Sequence, residues 1–466
     1  MLSRSRLLPP ATLLLAAAWA AGCGSDAASV DGSLPPAAAA RDTTAHAKSG
    51  RVQTGAQAWA ADGFERLRGA SDDSTTRVGI ITNHTALVRY ADSTVSAADG
   101  ATHLIDALDA EAGVTVGALF GPEHGLRGTA SAGENVSAGE KASAGGADDA
   151  TGAPIFSLYD DTRRPTQQEL DGLDALVYDI QDVGARFYTY VTTMGRAMQA
   201  AAEAGLPFYV FDRPDPLGGQ YLGGFVLNEQ QQSFVGMYPV PMVYGMTPGE
   251  LAKMIAGEAW LSGLDSLNLT VAELRGWQRG MTWRETGLPW IAPSPNIPDP
   301  ATAQVYAGAV LFEATAASEG RGTDAPFKLI GAPWADGRAL ADTLAARDLP
   351  GVRFPAAQFT PTPREGAGDP KLAGQQLQGI RYEVTDAASF RPVATGIHVL
   401  HALYRQAQRE ERTGVIARPK WLAKLAGTER LGEMLRDGAR PPEIIAAWKE
   451  PVSAFRERRQ PYLLYE

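Results

Sequence analysis

The stretch LDALVYDIQDVGAR, residues 173–186, changes character halfway along. Leu173 to Ile180 is an apolar run suited to a strand buried on both faces. Gln181, Asp182, Gly184 and Arg186 then bring in the polar and turn-forming residues that end such a strand. Tyr190 to Ala204 is Ala- and Met-rich with helical character and stops at Gly205, and Pro207 to Phe211 is apolar again. The alternation extends upstream. Arg77–Thr82 and Val114–Phe120 read as buried strands, and Thr94 to Ala112 has helical spacing with Leu104, Ile105 and Leu108 on one face. Short apolar runs alternating with helices predict an α/β fold with a parallel sheet covered on both faces.

Each strand is followed by chemistry. The first ends in Asn83-His84-Thr85, the second in Gly121-Pro122-Glu123-His124-Gly125, the fourth in Asp212-Arg213-Pro214-Asp215-Pro216. Open α/β sheets bind ligands at this carboxyl edge. Glu123 is bracketed by residues that turn sharply, and a partly desolvated carboxyl there suits general-acid work; a plain surface turn is the alternative. Asp179, Asp182 and Arg186 could bind a polar substrate or form a structural ion pair. Pro214 and Pro216 pin the Asp212 turn, which reads as structural. Phe187, Tyr188 and Tyr190 read as core, with Tyr188 able to face a cleft.

A second region begins near Trp290. The segment 293–298 is stiffened by prolines and is neither regular helix nor central strand. Thr302 to Ala317 reads as helix and runs into Ser318-Glu319-Gly320-Arg321-Gly322-Thr323, which is either a glycine C-cap or a carboxylate–arginine cluster facing a ligand. Gly379–Thr385 alternates as a strand, and Ile397–Arg409 and Pro419–Arg436 look helical. These divide the body into a sheet domain, 59–298, and a smaller α/β domain, 299–466, with a cleft between them. The Gly- and Ala-rich segment 128–152 is a candidate cover over that cleft.

Composition limits the alternatives. The chain has 466 residues, 44% hydrophobic and 20% charged, with a formal charge of −11. No dense basic run accompanies that charge, which argues against a nucleic-acid partner. The six histidines lack a metal-ligand pattern, the Gly-x-Gly-x-x-Gly dinucleotide fingerprint is absent, and so is the Gly-x-Ser-x-Gly elbow, so neither metal nor cofactor is expected. At the N-terminus Arg4 and Arg6 precede an apolar run, Leu7–Ala18, too short to span a bilayer. Ala20-Ala21-Gly22-Cys23 then resembles a bacterial lipoprotein processing site. The expectation is a signal peptide over 1–22, a lipid on Cys23, a flexible tether over 23–58, and a location in the periplasm or cell envelope, anchored to a membrane. Cys23 is the only cysteine, so no internal disulfide can form.

Six motifs occur in order: LFGPEHGLRG (119–128), AGENV (132–136), YDIQDVGARFYTYVTTM (178–194), DRPDPLGG (212–219), PSPNIP (293–298) and SEGRGTDAPF (318–327). Together they resemble the NamZ-type exo-β-N-acetylmuramidases, glycoside hydrolase family 171, from about Val78 to the C-terminus. The resemblance implies a Rossmann-like first domain, a smaller second domain, and release of terminal β-linked N-acetylmuramic acid from the non-reducing end of peptidoglycan fragments. It places the catalytic acid at Glu123. The second carboxylate is then Asp182 or Glu319. Asn83, His84, His124, Arg127, Gln181, Arg186, Tyr188, Asn296, Arg321 and Thr323 are candidates for binding the sugar, with Arg127, Arg186 and Arg321 as cations for its lactyl carboxylate. The chain departs from the family between 363 and 377, a stretch given no catalytic weight. Two rival readings share these features: a non-catalytic lipoprotein that binds cell-wall fragments, and an exo-hexosaminidase of other specificity.

Overall fold

The apolar runs assemble into one six-stranded sheet: β1 (Thr76–Thr82), β2 (Val114–Gly121), β3 (Ile155–Ser157), β4 (Ala175–Asp179), β5 (Phe208–Phe211) and β6 (Leu269–Ala272). The computed structural model describes residues 51–70, 75–89, 101–123, 126, 146–159, 163–364 and 367–466. The strand order is β3-β2-β1-β4-β5-β6 and every pairing is parallel. This is the Rossmann-like doubly wound order, and it directs all six strand ends to one edge. The edge strand β6 escapes a reading of the sequence because it is four residues long and mostly half-buried, which leaves little apolar signal.

Helices cover both faces. α1 (Tyr190–Ala204) buries Met194, Ala197, Met198 and Ala201, and Gly205 closes it in a left-handed conformation. α2 (Pro248–Gly257) starts from a Thr247–Glu250 capping box. One face of the sheet contributes Val78, Ile80 and Phe211 to a core with Trp59 and Phe64. The other face shares a larger core with residues as distant in sequence as Leu400 and Phe455.

That larger core joins the two halves of the body. Beyond Asp299 come α3 (Pro300–Ala309), the strand β7 (Leu329–Ala332), α4 (Gly337–Ala345), the strands β8 (Ala356–Phe359) and β9 (Leu377–Arg381), then α5 (Pro392–Arg409) and α6 (Pro419–Ala426). The three strands form an antiparallel sheet in the order β8-β9-β7. Residues 50–466 group as one compact unit. The C-terminal tail returns to the first sheet, where the Tyr465 hydroxyl donates to Asp212 at 2.7 Å and the Leu464 amide donates to Glu250 at 2.8 Å.

Four expectations need correction. The tether does not reach residue 58, because the Val52 amide donates to the Thr286 carbonyl and Thr54 caps a helix at Gly55–Ala60. Upstream of β2 the helix spans only Leu104–Asp109, with His103 as its cap; residues 90–100 lie outside the described residues. The helix expected to reach Ala317 tightens to a 3₁₀ turn over Val310–Ala314. The one expected over Pro419–Arg436 is two helices, broken at Gly427 with φ +80. A side chain at that glycine would collide with the Arg186 guanidinium.

Candidate active site

A cavity of about 470 Å³ opens at the carboxyl edge of the sheet, within the range of about 300–1,000 Å³ usual for small-ligand sites. Glu123 enters it directly after β2, Tyr159 after β3, and Phe187, Tyr188 and Thr189 from the loop after β4. The opposite wall comes from the second half of the chain, with Ser294 and Asn296 of the proline-rich crossing, then Glu313, Glu319, Arg321, Lys371, Arg418 and Trp421.

Glu123 is half-buried and held by hydroxyls. Thr189 Oγ1 donates to its Oε2 at 2.5 Å, and the Tyr159 hydroxyl is a second partner. Thr189 is the N-cap residue of α1, yet its side chain caps nothing. A threonine there ordinarily accepts a helix amide. Here its hydroxyl is turned to the carboxyl, fixing the rotamer of Glu123 at the cost of a cap. Burial, and then the charge of Glu123, push the Tyr159 phenol well above its ordinary pKa. Burial does the same for Tyr188. Both phenols therefore remain protonated, and that of Tyr159 donates to the carboxyl.

Glu319 is 3% exposed and lies between two cations, with Lys371 Nζ 2.8 Å from Oε2 and Arg321 Nε 3.4 Å from Oε1. Arg321 also meets Glu313 at 2.6 Å, and Glu313 accepts from Trp421 Nε1 at 3.3 Å. Burial lowers the pKa of Arg321, but Glu313 and Glu319 outweigh it and the net direction is up. The cavity is therefore lined by Glu123, held by neutral hydroxyls and supplied by the sheet, and by Glu319, held by cations and supplied by the second half of the chain.

Several residues expected at the site are elsewhere. Asp182 does not line the cavity: its Oδ2 accepts from the Gly184 amide at 2.8 Å and the Tyr244 hydroxyl at 2.9 Å. Its carboxyl is pushed up to about 6 by burial, against those hydrogen bonds. Arg186 is 2% exposed and donates to the carbonyls of Phe225, Val240 and Leu425. It holds the last turn of α6, where the helix dipole favours a cation, and its pKa falls to about 9 because of burial. Gln181 ties Asp182 to Pro214 through their carbonyls. Asn83 accepts from the Thr85 amide and hydroxyl, and His84 Nε2 lies 2.8 Å from the Ala292 carbonyl, outside the cavity. Thr323 closes the turn at Gly320 and faces a separate depression. His124, Arg127 and Cys23 lie outside the described residues.

The cavity does include Tyr188, Asn296 and Arg321, with Asn296 donating to the Ala367 carbonyl at 3.1 Å. It also includes residues that sequence reasoning passed over. Phe187 faces the cavity as well as the core. Lys371 comes from the 363–377 stretch, where the chain departs from the family pattern. Tyr159, Glu313 and Trp421 belong to no motif, and only their tertiary placement identifies them.

Sequence and structure comparisons identify the family. Family models described as the N-terminal and C-terminal parts of exo-β-N-acetylmuramidase NamZ match residues 78–301 and 304–465. The peptidoglycan β-N-acetylmuramidase NamZ of Bacillus subtilis is 38% identical over 438 residues, covering 93% of this chain and 96% of that one. Two crystal structures of DUF1343 family proteins from Bacteroides fragilis superpose with TM-scores of 0.76 and 0.67, at 34% and 32% identity. They cover 89% and 90% of this chain and 99% of each of theirs. The chain belongs to the NamZ family of exo-β-N-acetylmuramidases.

Proposed function

We propose that this protein is a glycoside hydrolase that removes terminal β-linked N-acetylmuramic acid from the non-reducing end of peptidoglycan fragments. The observation that carries this reading is the pairing of Glu123 and Glu319 across one aromatic-walled cavity, in a chain matched along almost its whole body by the family. Glu123 is the general acid. Its proton passes to the glycosidic oxygen as the bond from that oxygen to the anomeric carbon breaks. Water completes the hydrolysis at the anomeric carbon, and its proton restores the acid. Glu319 is the second carboxylate, fixed by Lys371 and Arg321 to orient the sugar's 2-acetamido group, which can act as internal nucleophile in substrate-assisted hydrolysis. Tyr159, Tyr188 and Trp421 supply flat apolar surface with polar tips, as sugar faces require.

The test is release of free N-acetylmuramic acid from a MurNAc-GlcNAc disaccharide or a chromogenic β-muraminide. Release by wild type and near-complete loss in Glu123→Gln are expected. No release by wild type, or undiminished release by the variant, overturns the assignment.

Export and anchoring belong to the same proposal. The positive, apolar and small-residue order ahead of Cys23 supports them. Among the described residues no helix is long and apolar enough to cross a membrane. Cys23→Ser should move the protein from the membrane to the soluble envelope fraction; unchanged membrane association overturns the anchor.

A further inference from the structure

The proposed substrate differs from N-acetylglucosamine by a lactyl ether that ends in a carboxylate. A site selective for it needs a cation whose charge is not already taken up. Of the three cations expected from the sequence, Arg186 is tied to backbone carbonyls, Arg321 is tied to Glu313 and Glu319, and Arg127 lies outside the described residues. Lys371, which the structure adds, pairs with Glu319 and donates to the Phe312 and Thr315 carbonyls at 2.6 and 3.0 Å.

Arg418 is different. It lines the same cavity, its side chain is exposed, and no carboxylate among the described residues lies within ion-pair distance of it. Its guanidinium sits over the Trp421 ring at 5.1 Å, a contact that steadies a cation without cancelling its charge. The platform is itself anchored, since Trp421 Nε1 donates to Glu313 and the Arg418 amide donates to the Ala314 carbonyl at 2.9 Å. A planar guanidinium presented this way can take a carboxylate through two parallel hydrogen bonds.

We propose that Arg418 is the specificity-determining residue that binds the lactyl carboxylate of the substrate. The proposal rests on the muramidase reading above. Arg418→Ala should then act on a charge carried by the substrate and leave the Glu123 chemistry intact.

The experiment compares wild type, Arg418→Ala, Arg418→Lys and Arg127→Ala on two chromogenic β-muraminides, one with a free lactyl carboxylate and one with its methyl ester. Arg418→Ala should lose about 10- to 100-fold in kcat/KM on the free acid, the range for a hydrogen-bonded charge. The loss should fall mainly in KM. Its rate on the ester should match wild type on the ester, and Lys should recover part of the loss. Equal losses on both substrates would mean a structural role, and no loss on either would mean no role; each overturns the proposal. So does selective loss of the free acid in Arg127→Ala with Arg418→Ala unaffected. If wild type releases no muramic acid from either substrate, the muramidase reading fails first and Arg418 falls with it.

Discussion

Two groups of carboxylates lie at the carboxyl edge of this sheet, and they have opposite fates. Asp182, Asp212 and Asp215 follow β4 and β5, in motifs as distinctive as any in the chain. All three are buried, and each accepts hydrogen bonds from the protein's own loops, hydroxyls or tail. Glu123, Glu313 and Glu319 instead line one cavity. The first group closes the sheet edge around itself. The second leaves space for a ligand. A polar cluster at a strand end is therefore a site only where the opposite wall fails to fill it.

Removing the Glu123 carboxyl should break this comparison most sharply. Glu123→Gln is expected to lose about 10²- to 10⁴-fold in kcat, the usual contribution of general acid–base catalysis, as measured by release of N-acetylmuramic acid. Glu319→Gln is expected to lose about 100-fold, equivalent to about 2.7 kcal/mol of transition-state stabilisation. Asp182→Asn should leave kcat/KM near wild type. A loss in Asp182→Asn as large as that in Glu123→Gln would merge the two groups.

A smaller effect distinguishes them by stability. Tyr465→Phe removes the hydroxyl that donates to buried Asp212. It should cost about 1–2 kcal/mol in denaturant unfolding with kcat unchanged. A full loss of activity at unchanged stability would contradict the architectural role.

The gentlest test is pH. Burial first of all raises Asp182 to about 6, Asp212 to about 7 and Asp215 to about 8 in the folded state, above an unfolded value of about 3.9. The folded protein therefore binds more protons than the unfolded chain between about pH 4 and pH 8. The stability these groups contribute is fully present below the unfolded value and is lost as pH rises through their folded values. At constant ionic strength Tm should fall from pH 6 to pH 8.5. A Tm that rises over that range would show that these carboxyls are ionised in the fold.

The sheet was legible because buried parallel strands announce themselves as apolar runs of Val, Ile and Leu, as in Val177 or Ile80. The short edge strand β6 was not, since it is four residues long and only Ala272 is fully buried. Glu123 was legible from its glycine bracket and its strand-end position. Arg186 was misread because an arginine beside aspartates looks like an ion pair or an anion site. In the fold its guanidinium reaches carbonyls up to 239 residues away in sequence, and backbone carbonyls leave no trace in side-chain identity. Lys371 and Trp421 were invisible for the complementary reason, because each matters only through the partner it meets.

The sequence by itself determined a covered parallel sheet, a polar carboxyl edge and one strand-end glutamate poised to face a ligand, because strand burial and turn chemistry are local properties. Only the tertiary structure decided which carboxylate shares a cavity with Glu123. Asp182 is nearer to it in sequence and was an equal candidate, but it is closed off by Tyr244 and Gly184. Glu319 arrives from the other half of the chain, because the larger core folds that half against the sheet and leaves Glu319 lining the same cavity as Glu123, with Lys371 and Arg321 at its oxygens.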